Sequence, residues 1–260
     1  MEDKPTGLEV CSNIQFYDGI SVIRSWTELK NNGEEDLGVE YVSSFALLGI
    51  DKEGLLSTDE KLEVLIARNA WQKELIWNRF SMDQLGMSIS QPDKVRRSSQ
   101  TISVGNTGNW STKNYLPMGC LKNKETDSIL FWQIEQNGSW YWEISDQDGH
   151  MYLQLSGPTE HQSHWWKNLK PGDTFASVPV SVGSACGDVE EAAGELTKYR
   201  RAIRRKNEDN EKLPVIFNDY MNCLWGDPTT EKELPLIDKA KEAGCEYFCV
   251  DCGWYSAGFW

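Results

Sequence analysis

Residues 245–255, CEYFCVDCGWY, place three cysteines, an aspartate and a tryptophan in eleven positions. Three chemistries compete for such a stretch. Cys249 and Cys252 have the C-x-x-C spacing of a metal knuckle, and Cys245 and Cys223 could complete a four-thiolate zinc site. Knuckles, however, sit on tight turns with glycine or polar neighbours. Cys245 and Cys249 flank or lie within an apolar run, where cysteine is a small packing residue. A redox C-x-x-C wants a helix N-terminus beside it, and VDCGWY offers none. His161 and His164 form H-x-x-H next to Trp165 and Trp166, but with three histidines in the chain surface or packing roles are the simpler reading. No metal and no cofactor are expected.

Asp251 is the remaining chemical group. It ends an apolar run and precedes Gly253 and Trp254. The run 213–219, LPVIFND, ends in the same way, with Asn218, Asp219 and then Tyr220. A carboxylate beside an aromatic suits hydroxyl recognition plus ring stacking. On the residues alone, Asp251 reads equally as a loop cap.

The elements that must position Asp251 form a β-α-β unit. Residues 213–219 and 246–251 read as short apolar strands, buried on both faces. Between them, Thr230 and Glu233 predict a capping box and Gly244 a helix stop, with Pro235 removing one amide from the second turn. In such sheets and barrels the C-terminal strand ends carry the site. Two parallel strands need a larger sheet around them. Upstream, residues 188–207 have acids early and bases late, complementing a helix dipole. Their basic cluster, 198–206, reads as a solvated helix face. Residues 208–212, EDNEK, form a polar connector.

The first 185 or so residues read as all-β, most economically a sandwich. Residues 20–30 alternate before the turn NNG at 31–33. Residues 39–50 and 62–80 are further β-rich runs. Pro171-Gly172 marks a turn before FASVPVSVG. Residues 129–144, ILFWQIEQNGSWYWEI, predict a hairpin with a three-residue loop, Gln136-Asn137-Gly138. That loop pairs Ile134 with Trp140, Trp132 with Trp142 and Leu130 with Ile144, and gives Gly138 a positive φ. The result is a tryptophan-rich slab facing a second sheet.

Composition bounds the partners. The 260 residues suffice for two domains, and 39% hydrophobic with 25% charged residues is the mix of a globular protein. A net charge of -14 disfavours nucleic acid and anionic membrane surfaces. The longest apolar run, 45–50, is too short to span a bilayer, and MEDKPTGLEV is no secretory signal. The expected compartment is the cytoplasm, with the seven cysteines reduced. Twelve tryptophans hint at carbohydrate as well as core packing.

LPVIFNDYMN followed by EKELPLIDKAKEAGCEYFCVDCGWY resembles the opening of the barrel of glycoside hydrolase family 36, the microbial α-galactosidases. RSWTELKNNGEEDL at 24–37 and LKPGDTFASVPVSV at 169–182 fit the family's N-terminal sandwich in the expected order. The resemblance implies a β-sandwich over 1–187, incomplete at its N-terminus. A linker helix and connector over 188–212 and the start of a TIM (β/α)8 barrel over 213–260 follow. It implies an origin in a retaining enzyme that removes terminal α-galactose from oligosaccharides, in a parent that is a homo-oligomer. Asp251, Trp254, Cys252, Asp219 and Tyr220 are the implied substrate-binding residues, Asp251 at galactose O4 and O6. Cys252 stands where the family usually has a second aspartate. The family's nucleophile and acid/base lie on later barrel strands, so the chain is expected to be truncated at both ends and inactive alone. The competing expectation is a sandwich module that binds carbohydrate or mediates oligomerisation without catalysis.

Overall fold

Long runs of β-branched and aromatic residues, punctuated by glycine, build sheets over the first three quarters of the chain. The computed structural model describes residues 1–87, 100–147 and 149–256. It divides into two units, Met1–Ile203 and Arg204–Trp260. The last four residues of the expected barrel segment, 257–260, lie outside the described residues.

In the first unit a nine-stranded antiparallel sheet runs in the order Glu2–Asp3, Leu8–Phe16, Val22–Asn31, Val180–Cys186, Ser128–Ile134, Tyr115–Asn123, Leu62–Ala70, Lys73–Ser81. The ninth strand, Thr174–Ala176, pairs with Val22–Asn31. A second sheet has the order Ser43–Leu48, His150–Ser156, Trp140–Gln147, Thr101–Asn106. The β-rich run at 62–80 is two strands, turned at Trp71 and Gln72, where Gln72 takes φ 60°.

The two sheets close on one core. Leu62, Val64, Leu121, Trp132 and Val182 from the first meet Ile102, Val104, Trp142, Ile144, Leu153 and Leu155 from the second. The expected hairpin at 129–144 is therefore not formed. Ser128–Ile134 pairs with Tyr115–Asn123 and Val180–Cys186, whereas Trp140–Gln147 pairs with the strands of the other sheet. Gln136-Asn137-Gly138 lies in a link between sheets, and Gly138 takes no left-handed φ. Trp132 and Trp142 still meet, but edge to face across the core, with ring centroids 5.1 Å apart and planes at 76°. The physical reason is the width of the apolar slab. Indoles of this size bury most area when two sheets enclose them. Gly119 makes room for it, since a Cβ there would sit 2.6 Å from the Trp132 ring.

The opposite face of Ser128–Ile134 carries Ile129 and Phe131, and Ala192, Leu196 and Tyr199 of the helix Val189–Ile203 cover it. These three positions recur at i, i+4 and i+7, one helix face. Tyr199 donates its hydroxyl proton to Glu135, which also accepts from Arg24 Nε at 2.9 Å and Nη2 at 2.7 Å. Burial, and then the bond to Glu135, push the Tyr199 phenol up. At the helix start, Arg79 donates to Asp188 at 2.7 Å, and Asp188 N donates to Glu191 Oε2 at 2.8 Å. Arg200, in the basic cluster, donates to Gln133. No described helix is long and apolar enough to cross a membrane.

The second unit contains the short helix Glu208–Lys212, the strand Ile216–Asn218, the helix Thr230–Glu242 and the strand Tyr247–Cys249. The strands are parallel, with Phe217 opposite Phe248 and Asn218 opposite Cys249. The two phenyl rings stack at 5.2 Å. Gly244, at φ 83°, follows the helix end as the sequence predicts. The predicted capping box is absent. The N-cap is Thr229, without a side-chain bond, and Glu233 turns inward instead.

Candidate functional site

The parallel strands bring two polar loop starts together. Tyr220 N donates to Asn218 Oδ1 at 2.9 Å, and Asn218 Nδ2 donates to Asp251 Oδ2 at 2.7 Å. Asp251 N donates to Asp219 Oδ1 at 2.9 Å. Asp219 N, in turn, donates to Cys249 O at 3.2 Å, carrying the ladder one residue past the strand. Asp251 is thus held twice, at its carboxylate by Asn218 and at its backbone by Asp219.

Asp251 itself is exposed, and so is Trp254, at 66%. The Trp254 indole donates to Asp251 O at 3.2 Å and packs edge-on against Tyr255 at 5.3 Å. The intervening Gly253 has φ 88°, and a Cβ there would lie 2.0 Å from Gly226 O. Only glycine fits this approach. Cys252 is half-buried, and its sulfur is the atom nearest to a Cβ built on Gly226, at 3.1 Å. Tyr220 is half-buried, its ring edge-on to Trp225 at 5.7 Å.

Asp219 is 1% exposed, so its carboxyl acts on the protein rather than on solvent. Beside it lies Glu233, 9% exposed. Neither Glu233 oxygen has a hydrogen-bond donor. Burial, and then the neighbouring Asp219 carboxyl, push the Glu233 carboxyl up. The sequence gives little sign of either role. Asn218 stands in the expected strand end but without an assigned task, and Glu233 occupies a position that also suits a cap.

All seven cysteines are unpaired. Among the described residues no group of three or more His, Cys, Asp or Glu side chains is arranged to hold a metal ion. His161 lies in the short helix Glu160–Ser163 and His164 follows it with φ 53°.

This geometry suits binding of hydroxyls: an exposed, oriented carboxylate and an indole at the carboxyl end of parallel strands. No protein-family model matches the chain. Alpha-galactosidase Mel36A of Lactobacillus acidophilus is 23% identical over 263 residues, covering 98% of this chain and 32% of that protein. Alpha-galactosidase 1 of Pediococcus pentosaceus is 26% identical over 113 residues, 42% of this chain and 15% of that one. A crystal structure of the family 36 α-galactosidase AgaA of Geobacillus stearothermophilus, a variant in complex with stachyose, superposes with TM-score 0.79 and 17% identity over 98% of this chain and 33% of that one. The galactosidase domain of AgaSK, an α-galactosidase-sucrose kinase, gives TM-score 0.78 and 19% identity over 97% and 32%. The chain spans about a third of the length of these relatives. Over that third, in sequence and in fold, it resembles the α-galactosidases of glycoside hydrolase family 36.

Proposed function

We propose that residues 213–256 are the opening of a (β/α)8 barrel and that Asp251 and Trp254 line the galactose pocket of a retaining α-galactosidase. The observation that carries this reading is the exposed Asp251 carboxylate, oriented by Asn218 next to the exposed Trp254 indole. Such a carboxylate accepts two sugar hydroxyls, and Trp254 shapes the wall beside it. Solved α-galactosidases that the chain resembles over about a third of their length support this reading. One of these is a complex with stachyose and another a complex with raffinose.

Retaining hydrolysis needs one carboxylate to attack the anomeric carbon and a second to protonate the leaving oxygen. The buried carboxyls described in this unit are Asp219, which contacts Asp251 through its backbone amide, and Glu233. Neither can reach a sugar from there. The working pair therefore comes from outside this wall, and residues 1–260 alone are not expected to release nitrophenol from a nitrophenyl α-galactoside.

The test is Asp251→Asn in a protein that joins these residues to a complete barrel. Turnover of a galactoside falls more than about tenfold, because each charge-assisted bond is worth roughly 1.5–3 kcal/mol. An unchanged rate makes Asp251 a loop cap. A second reading, a sandwich that binds carbohydrate by itself, draws on an open groove of about 270 Å³ lined by Tyr41, Tyr141, Glu143, Gln154 and His161. Galactoside binding to the 260-residue chain that is lost in Tyr41→Ala and kept in Asp251→Asn selects that reading.

A further inference from the structure

The two sheets of the sandwich are covered unequally. The helix Val189–Ile203 lies over the outer face of the first sheet. On the second sheet, Trp142 and Ile144 enter the core, so alternation turns Tyr141 and Glu143 the other way. Gln154 stands opposite Glu143 on the neighbouring strand, and Ala46 opposite Gln154 on the next. Glu143 and Gln154 line an open groove of about 270 Å³. Its rim is tied in place. Glu160 N donates to Glu40 O at 2.8 Å, and Thr159, 2% exposed, accepts from Gln162 N at 3.1 Å.

The polar groups of the groove are already oriented. Tyr141 donates its hydroxyl proton to Glu143 Oε2 at 2.6 Å, and Tyr152 donates to Oε1 at 2.8 Å. Both carboxylate oxygens are thereby fixed, and each keeps a lone pair for a further donor. Burial, and then the bond to Glu143, push both phenols up, which keeps them donors. Gln154 Nε2 donates to the Tyr41 hydroxyl, leaving the Gln154 carbonyl and a second N–H for a ligand. Tyr41, 39% exposed, adds an aromatic face. Acceptors and donors set beside an exposed ring suit the alternating hydroxyls and C–H faces of a pyranose. Charge narrows the choice. Glu40, Glu143 and Glu160 all line the groove, and among the described residues no lysine or arginine does. An anionic ligand would meet three carboxylates without a counter-charge.

We propose that this groove is a non-catalytic site for a neutral saccharide, with Glu143 the acceptor that reads its hydroxyls, Gln154 the second polar contact and Tyr41 the stacking face. Uronic acids and phosphorylated sugars are rejected by charge. The assignment rests on the reading of the sandwich as a carbohydrate binder by itself. It adds the ligand class and the residue that selects it, and it asks nothing of Asp251.

The experiment titrates the full 260-residue chain, isotopically labelled, with raffinose, maltotriose and trigalacturonate at one pH and ionic strength, and reads backbone amide shifts. At least one neutral trisaccharide moves the signals of Tyr41, Glu143, Gln154 and His161, and trigalacturonate leaves them in place. Asp251→Asn keeps these shifts. Glu143→Gln weakens the binding about tenfold, the loss of charge-assisted hydrogen bonds, while amides elsewhere in the sandwich stay where they are. Glu143→Gln affinity within about twofold of wild type overturns the assignment and leaves the carbohydrate reading standing. So does trigalacturonate that moves the groove signals as far as raffinose does. Groove signals that neither neutral trisaccharide moves overturn both. Where the variant does not fold, the comparison of raffinose, maltotriose and trigalacturonate on the wild type decides alone. Shifts confined to 251–255 and abolished by Asp251→Asn belong to the galactose pocket and overturn the groove.

Discussion

In the unit Met1–Ile203 the largest fully buried side chains are Trp132, Trp140, Trp142, Tyr199 and Phe131. In Arg204–Trp260 the buried residues, among those described, are Asp219, Glu233 and Ala240. The apolar strand residues of that unit lie open: Val215 is 57% exposed, Ile216 59%, Tyr247 54%. The sandwich closes its own core from two sheets and a helix. The β-α-β unit has a parallel pair whose faces expect helices and further strands, and its internal order comes from polar contacts around Asp251. Stability in the first unit is therefore a matter of apolar area, and in the second of hydrogen bonds.

The largest test of this contrast is Trp132→Ala. The indole is fully buried against Trp142 and beneath Gly119. A cavity of that size costs about 3–5 kcal/mol, read as a lowered urea midpoint for the sandwich transition. A cost below about 1 kcal/mol would mean that the slab is not the core. A smaller effect belongs to Glu135→Ala, which removes the acceptor shared by Arg24 and Tyr199. Losing a charged hydrogen-bond partner there costs about 2 kcal/mol. Near-neutrality would show that the helix Val189–Ile203 is held by Leu196 and Ala192 alone.

Several elements were legible in the sequence for a physical reason. Alternation in 20–30 and acidic-then-basic charge in 188–207 are local patterns, and each gave the element it predicts. The parallel pair was legible from the apolar runs 213–219 and 246–251 and from Gly244. The pairing of 129–134 with 140–147 was not. A short loop with Asn137-Gly138 fits a hairpin locally, and only the competition of two other strands for each edge decides otherwise. The place of Asp251 and Trp254 just past a strand end was legible because the apolar run stops there. The burial of Glu233 was hidden, since an acid near a helix start equally suits a solvent-exposed cap.

That burial sets a pH dependence. An acid whose folded pKa is raised above its unfolded value, about 4.3, stabilises the fold fully below that value. The contribution is lost as pH rises through the folded value. Burial and then Asp219 raise Glu233. Amide protection in the helix Thr230–Glu242 is thus expected to fall as pH climbs from about 4 through the raised value. Glu233→Gln removes the slope and, at neutral pH, leaves the helix better protected than wild type. A wild-type helix whose protection rises over this window contradicts the assignment.

The smallest effect sharpens the contrast most. Ile216→Thr keeps a β-branched residue on the strand, so its intrinsic preference for extended backbone is retained. Its side chain is largely in water already, and the substitution should change the stability of the 260-residue chain by no more than about 0.5 kcal/mol. Trp132→Ala, in the same chain, costs several times that. Joined to a complete barrel, Ile216 becomes a core residue, and the threonine hydroxyl then has to be buried, at about 1–3 kcal/mol. The ratio of the two measurements reports how much of this strand face is covered. If Ile216→Thr already costs more than about 1 kcal/mol in the 260-residue chain, some surface covers the strand. The available surface is a second copy, and the cost then depends on protein concentration. Measurement at two concentrations a hundredfold apart separates that case from a face open to water.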